Sequence, residues 1–106
     1  MASPEVTLQS IQAARTRIAG RVRRTPVLES ETLNTLAGAR LYFKCENFQE
    51  GGAFKARGAA NAVFSLSEQA LRAGVVTHSS GNHGAAVARA ARLRGVPAFI
   101  VMPENV

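Results

Sequence analysis

A lysine that follows a glycine-rich turn is the first residue in this chain to suggest chemistry. Lys55 comes directly after Gly51-Gly52-Ala53-Phe54, and the segment from Phe54 to Phe64 continues at helical spacing. Lys55 lies near the positive end of the helix dipole. This position, together with burial beside Phe54, favours the neutral form of the Lys55 amine. A neutral amine is a nucleophile suited to imine formation with a carbonyl group. From residue type alone, a surface lysine at a helix start is the simpler explanation.

A second segment of small polar residues has the composition of an anion site. Ser79-Ser80-Gly81-Asn82-His83-Gly84 follows a predicted strand and opens a predicted helix. Backbone N–H groups of Ser80, Gly81 and Asn82 can converge there on a carboxylate or a phosphate. An ordinary capped turn explains the same composition equally well. His78 and His83 have no nearby cysteine or carboxylate partners in the sequence, so we predict no metal site.

Taken together, the two segments are more specific than either one alone. The first contains Glu-Asn-Phe-Gln, a small residue before Phe-Lys, and then Arg-Gly-Ala within residues 44–59, and the second reads His-Ser-Ser-Gly-Asn-His-Gly at 78–84. They resemble the cofactor-lysine motif and the substrate-carboxylate loop of fold type II pyridoxal-phosphate enzymes, of the threonine/serine dehydratase and serine racemase type. Thr25-Pro26-Val27-Leu28 and Val101-Met102-Pro103-Glu104 fit the same family. The resemblance extends from about Ile11 to the end of the chain.

The resemblance implies a cofactor, pyridoxal 5'-phosphate, and a role for seven residues. Lys55 would bond to the cofactor as an imine and, once displaced by the substrate amine, act as the base at the α-carbon. Phe54 would pack near the cofactor ring, and Asn82 would donate to its phenolic oxygen. In racemases, the residue at Ser80 can supply a proton from the opposite face. The residues implied around the substrate carboxylate are Ser79, Ser80, Gly81 and His83.

The activity that the resemblance implies is dehydration of threonine or serine, a β-hydroxy amino acid, to a 2-oxo acid and ammonia. Racemisation of serine or another amino acid is an alternative that uses the same lysine. Ala53 stands where many members of the family have serine, and alanine there favours a branch that acts on hydroxyaspartate. An alternative of another class is a catalytically inactive, truncated remnant that serves only as a folding or interaction unit.

Capping residues and hydrophobic spacing predict the elements that position these groups. Ser3 and Pro4 can begin the first helix, Ser30 the second and Ser67 the fourth. The predicted order is a helix from Pro4 to near Gly20, a helix from Ser30 to Gly38, a strand from Arg40 to Cys45, a helix from Phe54 to Phe64, a helix from Ser67 to Gly74, a strand from Val75 to Thr77, a helix from Ala85 to Leu93, and a strand from Pro97 to Met102.

Helices that alternate with short apolar strands predict an α/β fold with parallel strand pairing. The family resemblance implies a two-domain architecture like that of the tryptophan synthase β chain. We predict that residues 1–76 begin the large cofactor-binding domain and that residues 77–106 begin the small substrate-loop domain. Both domains are expected to be incomplete, because the chain stops just past a strand and contains no glycine-rich phosphate loop. On its own, this chain is expected to be inactive.

Composition and charge exclude several other classes of protein. The net charge of +6 arises from 13 basic and 7 acidic residues, with arginines crowded between Arg15 and Arg24. Aromatic residues do not alternate with them, so we expect a solvated helix face and no nucleic-acid partner.

No apolar run approaches the length of a membrane span, and no secretory signal is evident. The single Cys45 suggests a buried packing residue in a reducing compartment. We expect a cytoplasmic protein with an amino-acid substrate, and the resemblance implies a homodimer.

Overall fold

The computed structural model describes residues 5–106, and these residues form one α/β arrangement. Two 3₁₀ turns, Glu46–Phe48 and Glu50–Gly52, precede the third helix. Within the described residues, the order of helices and strands is α1 (Leu8–Ile18), β1 (Val27–Leu28), α2 (Glu31–Ala37), β2 (Phe43–Lys44), α3 (Lys55–Ser65), α4 (Glu68–Leu71), β3 (Val75–His78), α5 (Asn82–Arg94) and β4 (Ala98–Val101).

Capping residues define most helix ends where the sequence predicts them. The Ser30 side chain accepts a hydrogen bond from the N–H of Leu33 at 3.3 Å, and α2 ends at Gly38, whose φ is 63°. The Ser67 side chain likewise accepts from Ala70 N–H at 3.2 Å. Because a side-chain oxygen satisfies a donor that the first helical turn leaves unpaired, these serines set where each helix starts.

The start of the first helix differs from the prediction. Ser3 and Pro4 lie outside the described residues, but residues 5–7 are not helical and α1 begins at Leu8. Thr7 and Ser10 form a reciprocal capping box, with Thr7 N to Ser10 Oγ at 3.0 Å and Ser10 N to Thr7 Oγ1 at 3.1 Å. The helix therefore starts later than predicted, at Leu8, because the capping box pairs backbone and side-chain groups of Thr7 and Ser10 at its first turn.

The core lies between α3 and α5, and small side chains dominate it. Leu71 of α4 is the largest fully buried side chain, and Val75 and Ile100 of the strands pack against the cluster. The small residues allow the two helices to approach closely, which brings the start of α3 beside the first turns of α5. The buried cluster consists of Ala59, Val63, Leu71, Ala86, Val87 and Ala90.

The strands form two separate pairs of opposite type. β3 and β4 are parallel, with Val75 opposite Ala98, which confirms the predicted parallel sheet. β1 and β2 are antiparallel, with Val27 opposite Lys44. The prediction of a longer strand from Arg40 to Cys45 with parallel pairing is wrong, because α2 reverses the chain and returns it alongside β1. Cys45, predicted to be buried, is half-buried.

The predicted division into residues 1–76 and 77–106 falls within β3, which runs from Val75 to His78. The buried cluster draws on α3 and α4 before this point and on α5 after it. The division into the starts of two domains stays a prediction.

Candidate active site

Glycine conformations place Lys55 at the first position of α3. Gly51 and Gly52 have φ values of 70° and 74°, a region that glycine enters without steric cost. Ala53 returns the backbone to an extended conformation, and Phe54 is the residue that precedes the helix. The chain therefore turns sharply just before the lysine, so that Lys55 opens a helix as the sequence predicts.

The environment of Lys55 differs from the expectation in one respect. Both Lys55 and Phe54 are exposed, Phe54 with 61% of its surface accessible, and the Lys55 Nζ atom lies 5.3 Å from the centre of the Phe54 ring. The predicted burial of the amine beside Phe54 is therefore wrong. The buried stripe of α3 begins one residue later, at Ala56, where α5 starts to cover the helix.

The serine-rich segment forms the connection from β3 to α5. Ser79 N–H donates to the carbonyl of Val101 at 2.9 Å, which ties the segment to the end of β4, and Gly81 N–H donates to Ser79 Oγ at 3.2 Å. The helix begins at Asn82, three residues before the predicted Ala85. No side chain among residues 5–106 caps this helix start. Its first backbone N–H groups therefore present partial positive charge toward the exposed Ser80 and Gly81.

Two contacts hold this segment against the sheet. A Cβ atom added at Gly84 would lie 3.0 Å from both the Ser79 carbonyl oxygen and Ile100 Cγ2, so a larger residue at this position would require its neighbours to shift. The Nε2 atom of His83 lies 3.1 Å from Thr77 Oγ1, and this hydrogen bond fixes the orientation of the imidazole. The segment is thus anchored on both strands of the parallel pair.

A small pocket joins the two parts of the predicted site. Its volume is about 30 Å³, and Lys55 and Asn82 both line it although they belong to different helices. Of the other predicted site residues, Phe54, Ser79, Ser80, Gly81 and His83 are not among those that line it. The remaining lining residues are Glu50, Gly51, Ala53, Ala56, Ala85, Ala86 and Arg89. The structure thus brings the lysine and the asparagine together and leaves the serines and histidine beside the start of α5.

A family model matches most of the chain. The model for pyridoxal-phosphate dependent enzymes matches residues 18–106, which is most of the chain. The chain belongs to this family. The family's cofactor and the predicted fold type II resemblance are thereby confirmed.

Individual relatives agree with the family assignment. The chain is 56% identical over 98 residues to the serine racemase of Oryza sativa subsp. indica, covering 92% of this chain and 29% of that protein. It is 56% identical over 99 residues to a beta-hydroxyaspartate dehydratase of Paracoccus denitrificans (strain Pd 1222), covering 93% and 31%. The crystal structure of serine racemase from Dictyostelium discoideum matches with a TM-score of 0.91 and 54% identity, covering 95% and 33%. The chain thus spans about a third of each of these proteins.

The family motif around Lys55 also contains residues with a structural role that sequence analysis did not assign. Gln49 is buried, and its side-chain amide makes two bonds to the backbone of Arg23: Oε1 accepts from the Arg23 N–H at 2.8 Å, and Nε2 donates to the Arg23 carbonyl at 2.9 Å. These bonds attach the segment after α1 to the turn before Lys55. A buried polar group is tolerated there because both of its ends are hydrogen-bonded.

Glu46 and Arg57 form a second link on the same side of the site. The Arg57 guanidinium contacts both carboxylate oxygens of Glu46, with Nη2 to Oε2 at 2.9 Å, and the Thr25 hydroxyl donates to the same carboxylate. The hydrogen bond from Arg57 lowers the pKa of Glu46 from 4.5 to about 2, against an opposing effect of burial, and the same bond raises the pKa of Arg57. These bonds join α3 to the 3₁₀ turn that contains Glu46 and, through Thr25, to the segment that precedes β1.

Sequence analysis also missed Glu50 and Arg89 as pocket residues. Arg89 belongs to the same face of α5 as Asn82, two turns further on, so helical spacing alone could have placed it near the site. Its partner Glu50 lies in a turn, where no periodicity reveals which way a side chain points.

No helix within the described residues is long and apolar enough to cross a membrane, and no group of three or more potential metal ligands forms there.

Proposed function

We propose that this chain carries the cofactor lysine and the substrate loop of a pyridoxal-phosphate enzyme that dehydrates a β-hydroxy amino acid to a 2-oxo acid and ammonia. The observation that carries the proposal is the pocket shared by Lys55 and Asn82, which belong to helices on either side of it. The similarity to a beta-hydroxyaspartate dehydratase supports a dehydration reaction. Threonine, serine and hydroxyaspartate are the substrates to compare.

The groups at the pocket fit the chemistry of the cofactor. An exposed primary amine can bond to an aldehyde carbon, and the Asn82 amide can donate to a phenolic oxygen. When bound, the cofactor supplies an electron sink that makes the proton on the substrate α-carbon acidic. Lys55 is one of only two lysines, and the other, Lys44, donates from its Nζ to the Thr25 carbonyl at 2.6 Å. Lys55 is therefore the amine that can hold the cofactor.

When it is not bonded to the cofactor, the Lys55 amine would be a base at the edge of the pocket. We propose that its Nζ accepts the α-proton of the substrate. The exposure of the amine allows it to move between these two tasks without disturbing the buried stripe of α3, which begins at Ala56. Positioning the base beside the α-carbon is the main contribution that the protein makes to the rate.

The start of α5 is the proposed site of the substrate carboxylate. Its first N–H groups carry partial positive charge, and Ser79, Ser80 and Gly81 lie directly before the helix. His83 is held by Thr77 in the first turn of the same helix. Asn82 and Ala85 in the first turn of α5 line the same pocket as Lys55, so a carboxylate held at this helix start would lie next to that pocket.

Racemisation is a second candidate, because similarity to serine racemases favours it. In that reaction a second group must return a proton to the opposite face of the α-carbon. Ser80 is exposed just before the start of α5, and its hydroxyl can donate and accept a proton. The same lysine serves both reactions, so the serine is the residue that distinguishes them.

The first prediction tests Lys55. In the full-length parent enzyme, incubation with pyridoxal phosphate followed by borohydride reduction should leave the cofactor mass on the peptide that contains Lys55. The substitution Lys55→Ala should abolish both the cofactor absorbance and the activity, because one side chain supplies the covalent link and the base. Lys44→Ala is the matched control and should retain both. A cofactor label on Lys44 would contradict the assignment, and the absence of label and turnover would favour a non-catalytic remnant.

The second prediction separates dehydration from racemisation. Release of 2-oxo acid and inversion of serine chirality are measured on the same preparation, with threonine and hydroxyaspartate as further substrates. Ser80→Ala should reduce racemisation while leaving the cofactor absorbance intact, whereas Asn82→Ala should weaken or misorient the cofactor itself. Unchanged spectra and kinetics in both variants would mean that the segment only starts a helix.

We further propose that the protein is a cytoplasmic homodimer. The family resemblance supports the dimer, and a single cysteine that cannot form an internal disulfide is compatible with a reducing compartment. Sedimentation analysis and cell fractionation test these two points independently.

A further inference from the structure

A charged cluster lies at the edge of the pocket, next to the residues of the proposed site. Glu50 pairs with two arginines: Arg89 Nε lies 3.7 Å from Oε2, and Arg23 Nε lies 2.9 Å from Oε1. The side chain of Arg89 is 22% exposed and that of Arg23 is 62% exposed. Arg89 therefore makes the more enclosed of the two contacts, and it is the one that links α5 to the turn before Lys55.

The helices that carry Lys55 and Asn82 meet through very small side chains at this end. Ala56 of α3 and Ala85 and Ala86 of α5 line the pocket between them. Alanine buries little apolar surface, so contact between such residues contributes little to holding two helices together. The larger side chains of the core, such as Val63 and Leu71, lie further along α3 and in α4.

The other end of α5 has its own attachment. Arg94 Nη2 lies 2.7 Å from Glu68 Oε1 and 3.2 Å from the carbonyl of Leu66. Within the part of the chain that the structure describes, the ion pairs of α5 are this one and the pair between Arg89 and Glu50. The second is the one beside the pocket, where the residues that line the space between α3 and α5 include Ala56, Ala85 and Ala86.

We propose that the ion pair between Glu50 and Arg89 is a positioning contact, which holds α5 against the turn before α3 at the spacing where Lys55 and Asn82 reach one cofactor molecule. This inference rests on the proposed function. Neither charged residue needs to touch the cofactor. The pair acts by keeping the two helices at this spacing, and the affinity for a cofactor that needs both Lys55 and Asn82 falls with the fraction of molecules at that spacing.

The expected size of the effect follows from the exposure of the pair. Partly exposed ion pairs contribute modestly, so removing one partner should weaken cofactor binding about two- to five-fold. Arg23 is mostly exposed and does not line the pocket, so its removal should change the affinity less than removal of Arg89. Salt screens such contacts, so the difference between wild type and variant should shrink in high salt.

The test compares the variants Arg89→Gln, Glu50→Gln and the double variant with Arg92→Gln, an exposed arginine on the same helix. In the full-length parent enzyme, the dissociation constant of pyridoxal phosphate is measured by absorbance titration, with borohydride trapping to confirm that Lys55 carries the cofactor. In the cofactor-free protein, amide hydrogen exchange of residues 82–86 reports whether the pocket end of α5 opens. Both single variants should bind about two- to five-fold more weakly and exchange faster, and the double variant should be no weaker than either one.

Arg89→Lys keeps the charge and should recover most of the affinity, which a role in packing alone would not predict. Equal cofactor affinities in Arg89→Gln and Arg92→Gln would overturn the proposal, as would additive losses in the double variant. These outcomes are separate from the fate of the proposed function: if trapping places the cofactor away from Lys55, the function is wrong, whereas unchanged trapping with equal affinities refutes only the positioning role. Far-UV circular dichroism of each variant verifies that a loss of affinity is not a loss of fold.

Discussion

Replacing Glu46 with glutamine removes one negative charge from the network that fastens the start of α3. The side chain accepts two bonds from Arg57 and one from the Thr25 hydroxyl. Glutamine has nearly the same shape and can still accept a bond from Thr25. It cannot neutralise Arg57, whose guanidinium would then be a partly buried cation without its partner.

The magnitude follows from the pKa of Glu46. Its lowering from 4.5 to about 2 corresponds to roughly 3 kcal/mol of preference for the charged form in the folded state. The Glu46 side chain is 18% exposed and that of Arg57 is 34% exposed, so solvent screens part of this interaction. We therefore expect Glu46→Gln to reduce the free energy of unfolding by about 2 kcal/mol at pH 7.

The pH dependence gives a second, independent test. Because the folded-state pKa of Glu46 lies below its unfolded value, its contribution is fully present above about 4.5 and is lost as the pH falls toward 2. Urea denaturation of wild type and Glu46→Gln should therefore show a difference that is constant from pH 7 to about 5. Below that, the two curves of unfolding free energy against pH should converge.

A surface ion pair supplies the control. Glu29 accepts two bonds of 3.0 Å from Arg40, but the Arg40 side chain is 70% exposed. Glu29→Gln should therefore cost no more than about 1 kcal/mol. The reasoning is refuted if the two glutamine variants lose the same stability at pH 7, or if the deficit of Glu46→Gln persists unchanged to pH 2.

Two further predictions concern the fold around the site. Leu71→Ala should lower the free energy of unfolding by about 2–5 kcal/mol, because Leu71 is the largest fully buried side chain; Leu66→Ala, at an exposed position, should cost much less in the same urea titration. Gly74→Ala should destabilise more than Gly95→Ala, since both have positive φ but only at Gly74 would the new Cβ lie 2.4 Å from the Pro97 carbonyl oxygen. Equal thermal midpoints for the two alanine variants would contradict this explanation.

Local chemistry in the sequence was sufficient to predict most helix ends and the position of the lysine. Ser30, Ser67 and Gly38 act through hydrogen bonds or backbone conformations that involve residues only a few positions away. The turn before Lys55 is determined in the same way, by two glycines with positive φ. The partners in such interactions are only a few residues apart, so the local sequence is enough to predict them. Two helix starts are exceptions: we predicted Ser3 as the first cap and did not identify the capping box of Thr7 and Ser10, and α5 begins at Asn82 rather than at the predicted Ala85.

The family motifs determined which residues could do chemistry, and the tertiary structure decided which of them meet. Lys55 and Asn82 line one pocket only because α3 and α5 pack through alanines, and Glu50 faces Arg89 for the same reason. The exposure of Lys55 was likewise mispredicted, because burial depends on where α5 begins to cover α3. The antiparallel pairing of β1 with β2 arose from a reversal through α2 that hydrophobic patterns do not encode. Contacts between distant segments depend on packing geometry. The hydrophobic periodicity of one segment does not identify the segment that packs against it.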